Sequence, residues 1–208
     1  VPALTGTYVF VWLFEPRSGL VASVLGMLGL VEPGTVNWFG DRLSFYAIAT
    51  LNVPSVGIHT VSIWMREDGL ILDKLVLTTD PLFIPTGLGP LESSTNANPP
   101  PATVTVQQDP GADGLVSMTA NEFNQATARN GQSWQPLSLV GSAGASVMSP
   151  LPNLGRVITS SIETTAPQMD FVINFVQTGT HYVWLRGTAA TGSDESCHAG
   201  LEGVVQPT

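Results

Sequence analysis

The sequences IHTVSIWMR (Ile58–Arg66) and LILDKLVLTT (Leu70–Thr79), joined by Glu67-Asp68-Gly69, decide the fold class. Both are rich in β-branched and aromatic residues, which favour strands. The Asp-Gly step between them is a strong signal for a chain reversal of the hairpin type. Pro81 ends the second strand, since proline cannot donate a hydrogen bond to a sheet. The pattern predicts a β-hairpin.

A second hairpin is predicted near the end of the chain. Along Met169–Val176, apolar side chains alternate with others, so that Phe171, Ile173 and Phe175 share one face. This period of two is typical of a half-buried strand. Gln177–Thr180 is a turn, and His181–Arg186 alternates again.

The composition favours an all-β domain. Of the 208 residues, 43% are apolar and only 11% are charged, against roughly 25% charged in average soluble domains. The 21 glycines and 16 prolines suit many turns between short strands better than a few long helices. The length fits one large β-sandwich or one module with extra strands.

Charge, cysteine content and the length of the apolar runs argue against several kinds of partner, cross-link and membrane segment. The net charge is −9, and Lys74 is the sole lysine, which argues against nucleic acids and anionic membranes as partners. A single cysteine, Cys197, excludes an intrachain disulfide and a thiolate metal cluster. The longest apolar run, Leu20–Val31, has twelve residues, whereas a spanning helix needs about 20, so we expect no membrane insertion.

The composition changes between Asp80 and Asp113. Asn98–Pro101 and its Ser, Thr and Gly neighbours are typical of an extended linker, with one short strand at Ala102–Gln107. We therefore divide the chain into residues 1–85, a Pro/Ser/Thr/Asn-rich linker at 86–115, and residues 116–208.

An internal repeat relates the two ends of the chain. Gly6–Leu13 (GTYVFVWL) is similar to Gly179–Leu185 (GTHYVWL). Each is followed by a polar turn and then by Gly-x-x-Gly, at Gly26–Gly29 and Gly200–Gly203. Such self-similarity indicates a repeated module, and the chain is expected to begin and end within two copies of it.

These segments carry a family resemblance. Val116–Asn124, Ser133-Trp134, Gly179–Gly187 and Gly192–Gly203 resemble the amino-terminal half of a secreted bacterial module. Ala49–Asp80 resembles the carboxy-terminal half of the same module. The family is the galactose-binding-like β-sandwich, a jelly roll whose relatives include many carbohydrate-binding modules appended to polysaccharide-degrading enzymes. It implies an all-β jelly-roll β-sandwich with the halves of two successive repeats in permuted order.

Two arrangements follow from that order. In one, the chain closes on itself as a circularly permuted sandwich, with Ile58–Thr79 beside Met169–Arg186. In the other, each half completes a sandwich with a neighbouring repeat or chain, because open sheet edges demand a partner. We favour closure within the chain, which needs only the linker near residue 100.

The resemblance also implies a calcium site. Relatives often hold a structural Ca²⁺ with glutamates of the first strand and an aspartate of the last. Asp73 matches that aspartate, and Glu122 is the one carboxylate in the first-strand stretch Thr119–Phe123. Since Ca²⁺ takes several oxygen ligands, the alternative is that both carboxylates are simply solvated.

Sugar binding requires an aromatic face and nearby polar groups. Trp134 and Trp38 lie in turn-rich sequence, where such platforms sit in this architecture. Asp194 and Glu195 follow a Gly-Ser turn and are candidate acceptors for sugar hydroxyls. The remaining tryptophans lie in alternating strands and are expected in the core: Trp12, Trp64 and Trp184.

The sequence gives little support for catalysis. Cys197 and His198 are adjacent, so on a strand they would face opposite sides instead of forming a dyad. Nucleophile-elbow, zinc-protease and phosphate-loop motifs are all missing from the sequence. His59 and His181 each lie at a strand start and are expected to be structural or surface residues. We predict that the chain is not an enzyme.

Leu20–Val31 is apolar where its counterpart Gly192–Gly203 is polar. This favours an interface for self-association with neighbouring repeats or chains, formed by Leu20, Val21, Val24, Leu25 and Leu28. The alternative is an ordinary core segment.

The favoured function is a non-catalytic, extracellular or cell-surface, bacterial module that recognises polysaccharide. The alternative is a structural repeat that assembles by strand complementation into a fibre, adhesin stalk or matrix.

Overall fold

The structure is a computed structural model that describes residues 43–97, 104–189, 194 and 196–206. In chain order its strands are β1 (Ser44–Val53), β2 (Gly57–Met65), β3 (Leu70–Thr78), β4 (Thr95–Ala97), β5 (Val104–Gln107), β6 (Val116–Thr119), β7 (Gln125–Thr127), β8 (Ser133–Leu137), β9 (Val147–Leu151), β10 (Gln168–Phe175), β11 (Gly179–Ala189), β12 (Cys197–Leu201) and β13 (Val204–Val205). A 3-10 turn, Ala120–Glu122, and one helical turn, α1 (Ile162–Thr165), complete the described elements.

The strands form two sheets that enclose one core, which confirms the predicted all-β sandwich. The first sheet has the order β1-β11-β3-β9-β8, with β6 also paired to β3. The second has the order β13-β12-β2-β10-β5-β4, with β7 also paired to β10. All pairings are antiparallel except that of β5 with β10.

The four strands of the two predicted hairpins are present, but the strands of each hairpin do not pair with each other. β2 and β3 lie in different sheets, and so do β10 and β11. Instead β2 pairs with β10 along its length, and β3 pairs with β11. An Asp-Gly step reverses the chain in either case, so it could not tell a hairpin from a connection between sheets. The crosswise pairing is the arrangement expected for closure within one chain.

Alternation along these four strands builds the core. The buried apolar residues include Val61, Ile63 and Met65 on β2, Leu72, Leu75 and Leu77 on β3, Met169, Phe171, Ile173 and Phe175 on β10, and Val183 and Leu185 on β11. Burying a side chain of this size contributes roughly 1.5–3 kcal/mol. Because both sheets depend on strands from both parts of the chain, neither part can bury its apolar face alone.

The stretch 86–115 is not a plain linker in its described residues. It contributes β4 and β5 to the second sheet, and Val106 of β5 is buried in the core beside β10. The strand predicted at Ala102–Gln107 is therefore present as β5. The sequence pattern predicted this short strand, but the composition of the segment gave no indication that the strand belongs to the sandwich.

Several predicted residues lie outside the described part of the chain. They are Trp12, Trp38, Glu195 and the interface residues Leu20, Val21, Val24, Leu25 and Leu28.

His181, at the start of β11, is a buried neutral histidine. Its side chain is fully buried, and its ring lies edge-on to Phe175 with centroids 5.0 Å apart. Gln108 accepts two backbone N–H bonds at Oε1, from Val176 and Gln177, so its amide nitrogen donates to His181 Nε2 at 2.8 Å. His181 Nδ1 therefore carries the proton, and donates it to Gly179 O at 3.0 Å. Burial lowers the pKa of His181, against a smaller opposite effect of the Gly179 hydrogen bond.

We expect acidification from pH 7 to 5 to destabilise the fold in part through His181. Below pH about 6.5 the unfolded chain binds a proton at this residue that the folded chain refuses, so the free energy of unfolding falls by at most about 1.4 kcal/mol per pH unit. Urea unfolding of the parent and His181→Gln at both pH values measures the difference.

The pH dependence of the free energy of unfolding should be shallower in His181→Gln than in the parent. Equal slopes for the parent and His181→Gln would contradict the assignment. If His181→Gln does not fold, the ring pKa of His181 measured by NMR in the parent decides, and a value at or above 6.5 would refute it.

Candidate functional site

A row of aromatic rings lies on the outer side of the first sheet. Since Val183 and Leu185 of β11 point into the core, Tyr182 and Trp184 point away from it. Phe45 of β1 pairs with Arg186 and so shares that side. All three rings are half-buried. We call Phe45, Trp184 and Tyr182 the outer aromatic face.

A cleft of about 540 Å³ opens at one end of this face. Phe45 and Arg186 contribute to its lining, and two loops form its walls, with Gly87 and Leu88 on one side and Val140 and Gly141 on the other. Its volume is within the range of about 300–1,000 Å³ that is usual for small-molecule sites.

A buried ion pair holds both loops against the sheet. Asp73 is fully buried and pairs with the guanidinium of Arg186, and it also accepts the N–H of Ala143 at 2.9 and 3.1 Å. Arg186 donates from Nε to Gly87 O at 2.8 Å and from both Nη atoms to Gly141 O at 3.2 Å. One side chain thus connects β11, β3 and the two walls of the cleft.

A β-bulge brings these residues together. Arg186 pairs with Lys74, whereas the next residue, Gly187, pairs with Leu72, so Asp73 is the extra residue of β3. A bulge re-aims the side chains around it, which places Asp73 on the outer side beside Arg186.

The neighbouring Lys74 fixes the same loop further along. Its buried Nζ donates to Pro90 O at 2.7 Å and lies 2.8 Å from Glu92 Oε1, which lowers the pKa of Glu92. Gly89, at φ +77°, packs so closely that a Cβ there would lie 2.5 Å from the ring of Phe45. The loop can lie on the aromatic face because residue 89 has no side chain.

The donor set at Asp73 and Glu122 does not fit a calcium ion. Asp73 already faces the positive charge of Arg186, and Glu122 Oε2 accepts the N–H of Thr119 at 2.8 Å in a capping box. Nowhere in the described ranges do three histidine, cysteine or acidic side chains converge as metal ligands. Ca²⁺ requires six to eight oxygens, so the hydrogen-bond and ion-pair partners of these two carboxylates disfavour a calcium site, which stays a prediction.

Trp134 and Trp184 each lie on the side of the first sheet opposite to the predicted one. Trp134 is only 4% exposed, packs in the core and donates from Nε1 to Pro167 O at 3.1 Å, so it cannot be a sugar platform. Trp184, predicted to be in the core, lies on the outer aromatic face. Trp64 is buried as expected, with its Nε1 donating to Gln168 Oε1 at 3.0 Å. Asp194 packs against Gly69 at the β2–β3 turn, not on the aromatic face.

One arrangement resembles the order of a hydrolase triad. His59 Nδ1 lies 2.8 Å from Glu202 Oε1, and Nε2 lies 3.3 Å from Ser55 Oγ. However, Nε2 is also 2.8 Å from the carbonyl oxygen of Ser55, which only accepts hydrogen bonds. Nε2 therefore carries a proton and cannot remove one from Oγ, as a general base must.

Cys197 and His198 do not form a dyad either. Cys197 is buried in the core, and this burial raises the pKa of its thiol far above the usual range. His198, on the other side of β12, donates from Nε2 to Ile158 O at 3.0 Å. Because the Cys197 thiol stays neutral and the His198 imidazole is bonded to a backbone carbonyl, the two residues form no activated nucleophile.

Comparison with known proteins gives a partial family match. Residues 111–201, 91 of the 208, match the family described as the glycosyl hydrolase family 115 C-terminal domain. Over 50 residues the chain is 46% identical to uncharacterized protein P23 of Formosa agariphila, a stretch that covers 24% of this chain and 12% of that protein. No solved structure matches. Among the described helices none is long and apolar enough to cross a membrane.

The match supports a carbohydrate-related β-sandwich in a glycosyl hydrolase context, in a domain named for its place at the C-terminus of such proteins. The matched residues contain β6 to β12 but lack β2 and β3, which lie inside the second and first sheets. The folding unit is therefore larger than the matched segment.

We expect Asp73→Asn to lower the free energy of unfolding by about 3–5 kcal/mol, because it leaves Arg186 buried without its counter-charge. Glu122→Gln, which loses part of a turn cap, should lower the free energy of unfolding by about 1 kcal/mol.

Denaturant titration in millimolar calcium and in chelator should give the same unfolding midpoint for the parent. A calcium-dependent midpoint in the parent that is lost in Asp73→Asn would contradict this account.

The segment 104–208, which contains the matched residues without β1, β2 and β3, should not fold alone. Its sheets would lack inner strands and expose Phe171 and Val183 to water. Addition of a 43–97 fragment should restore dispersed NMR signals. A cooperative, monomeric unfolding transition of 104–208 alone would refute the prediction.

Proposed function

We propose that this chain is a non-catalytic module of an extracellular bacterial protein and that it binds polysaccharide on the outer aromatic face. The observation that carries the proposal is the row of Phe45, Trp184 and Tyr182 beside the cleft. The glycosyl hydrolase match over residues 111–201 supports a carbohydrate ligand.

The geometry of the row suits an extended sugar chain. Alternate residues on one side of a strand lie about 6.6 Å apart, so Trp184 and Tyr182 present successive rings along β11. A pyranose has one face made of C–H groups, and such a face gains dispersion and apolar burial on an aromatic ring. Phe45 extends the row into the cleft.

Polar groups flank the rings on the same side of the sheet. Thr50 pairs with Tyr182, and the exposed Asn52 pairs with the exposed Thr180. Their hydroxyl and amide groups can donate to and accept from sugar hydroxyls. Rings with flanking polar groups are the combination that binding sites use to fix a ligand's orientation.

Assembly with other copies is a second candidate, and one observation favours it. The loops beside the cleft expose apolar side chains, with Leu82, Leu91 and Val140 at least 84% exposed. Large apolar side chains that are exposed on neighbouring loops are typical of interaction surfaces when they form one patch.

We expect Trp184→Ala and Tyr182→Ala each to weaken polysaccharide binding at least tenfold, about 1.4 kcal/mol, while the fold is kept. Affinity electrophoresis and calorimetry with the neutral polymers xylan, mixed-linkage glucan and galactan measure the effect.

Trp134→Phe is the matched control, since it alters a core tryptophan and should change stability but not affinity. Trp184→Phe should keep most of the binding. If no polysaccharide of the panel binds the parent, or if Trp184→Ala binds like the parent, the proposed function is wrong.

A further inference from the structure

We propose that Arg129 and Arg156 form a separate anion site that binds a carboxylate or sulfate group of an acidic polysaccharide. The site lies where the turn 129–132 meets the loop 153–157, and it shares no residue with the outer aromatic face. It goes beyond the proposed function, because it assigns a charged ligand group to a different part of the sandwich.

The guanidinium of Arg156 contacts the turn that carries Arg129, while the guanidinium of Arg129 contacts the chain just after the helical turn α1. The backbone of Arg129 and Gln132 pairs in both directions, at 3.0 and 2.9 Å, with Asn130 in the left-handed conformation at φ +52°. Arg156 donates from Nη1 to Asn130 O at 2.7 Å, and Arg129 donates from Nη1 to Ala166 O at 2.7 Å. Asn130 in turn donates to Thr165 O at 2.9 Å.

Neither arginine has a carboxylate partner in the described part of the chain. The arginine ion pairs there are Arg66 with Glu67 and Arg186 with Asp73. This is unusual in a protein with 16 acidic and seven basic residues. Each guanidinium has five N–H donors and uses one nitrogen in the contacts above, which leaves Nε and Nη2 for a ligand.

The two loops are fixed before any ligand arrives. Asp68 is 1% exposed, and its carboxylate accepts hydrogen bonds from Gln132 Nε2 at 2.8 Å, from Leu154 N at 2.6 Å and from Arg156 N at 3.1 Å. One buried carboxylate therefore ties both arginine-bearing loops to the β2–β3 turn. Prior fixation of this kind reduces the entropy cost of binding.

The chemistry of the pair selects the ligand. A planar guanidinium matches the paired oxygens of a carboxylate or sulfate, whereas a neutral sugar offers no such group. The net charge of −9 repels polyanions at long range, so attraction must come from short contacts at this site. Glu163, the acidic side chain of the helical turn α1, accepts the N–H of Val205 at 3.2 Å.

The test compares three polymers by calorimetry at 150 mM salt: polygalacturonate, dextran sulfate and neutral dextran. The parent should bind at least one of the two anionic polymers, and which one it binds identifies the anion as carboxylate or sulfate. Arg129→Gln/Arg156→Gln should weaken that binding at least tenfold. Arg66→Gln, an arginine already paired with Glu67, should stay within twofold of the parent.

Arg156→Gln alone alters an exposed side chain and should still weaken binding severalfold, which keeps the test valid if the double variant unfolds. Arg156→Lys keeps the charge but loses the planar pair of N–H donors, so its affinity for the anionic polymer should lie between those of the parent and Arg156→Gln. Failure of both anionic polymers to bind the parent, or unchanged binding by a folded Arg156→Gln, would overturn the proposal. Trp184→Ala separates the two sites, because it should bind the anionic polymer as tightly as the parent does. A tenfold loss of that binding in a folded Trp184→Ala would contradict a separate anion site.

Discussion

The crosswise pairing of β2 with β10 and of β3 with β11 is the constraint on which the rest of the structure depends. Each pair joins a strand from residues 57–78 to one from residues 168–189, and the two pairs lie in opposite sheets. The core exists only when both pairs form, because Ile63 and Leu75 meet Phe171 and Val183 inside the same cluster. This pairing gives a closed sandwich in one chain, which is compatible with the permuted order of halves that the resemblance implies.

The same pairing creates the candidate site. The register of β3 on β11 leaves Asp73 as an extra residue, and this bulge places a carboxylate next to Arg186 on the outer side of the sheet. Buried ion pairs add little net stability compared with apolar packing, but breaking one is costly. We therefore interpret this pair as a device that positions the loops at Gly87 and Gly141, and with them the cleft beside Phe45.

The positions of the strands could be predicted from the sequence. Their pairing partners, and the side of each strand that faces the core, could be predicted only in part. Alternation identified β2, β3, β10 and β11 because a period of two follows directly from strand geometry. It could not show that β2 and β3 lie in different sheets, since an Asp-Gly turn serves both connections.

The surroundings of individual site residues could not be predicted for a related reason. Trp134 stands in turn-rich sequence but points inward from β8, while Trp184 stands among apolar neighbours but points outward, and alternation does not say which side is the core. Asp73 matched a calcium ligand by position, yet its partner Arg186 lies 113 residues away and became visible only through the bulge. The proposed anion site had no sequence signal, because the guanidinium groups of Arg129 and Arg156 are held by backbone carbonyls, which leave no pattern in the sequence.

Cross-linking tests closure within the chain most directly. Thr60 on β2 and Val172 on β10 are paired, half-buried residues on the outer side of the second sheet. After Thr60→Cys and Val172→Cys are introduced together and oxidised at low concentration, the disulfide should form within one chain, and the mass should remain that of a 21.9 kDa monomer. Disulfide-linked dimers or ladders without the intrachain product would contradict the account and show that the strands pair between chains.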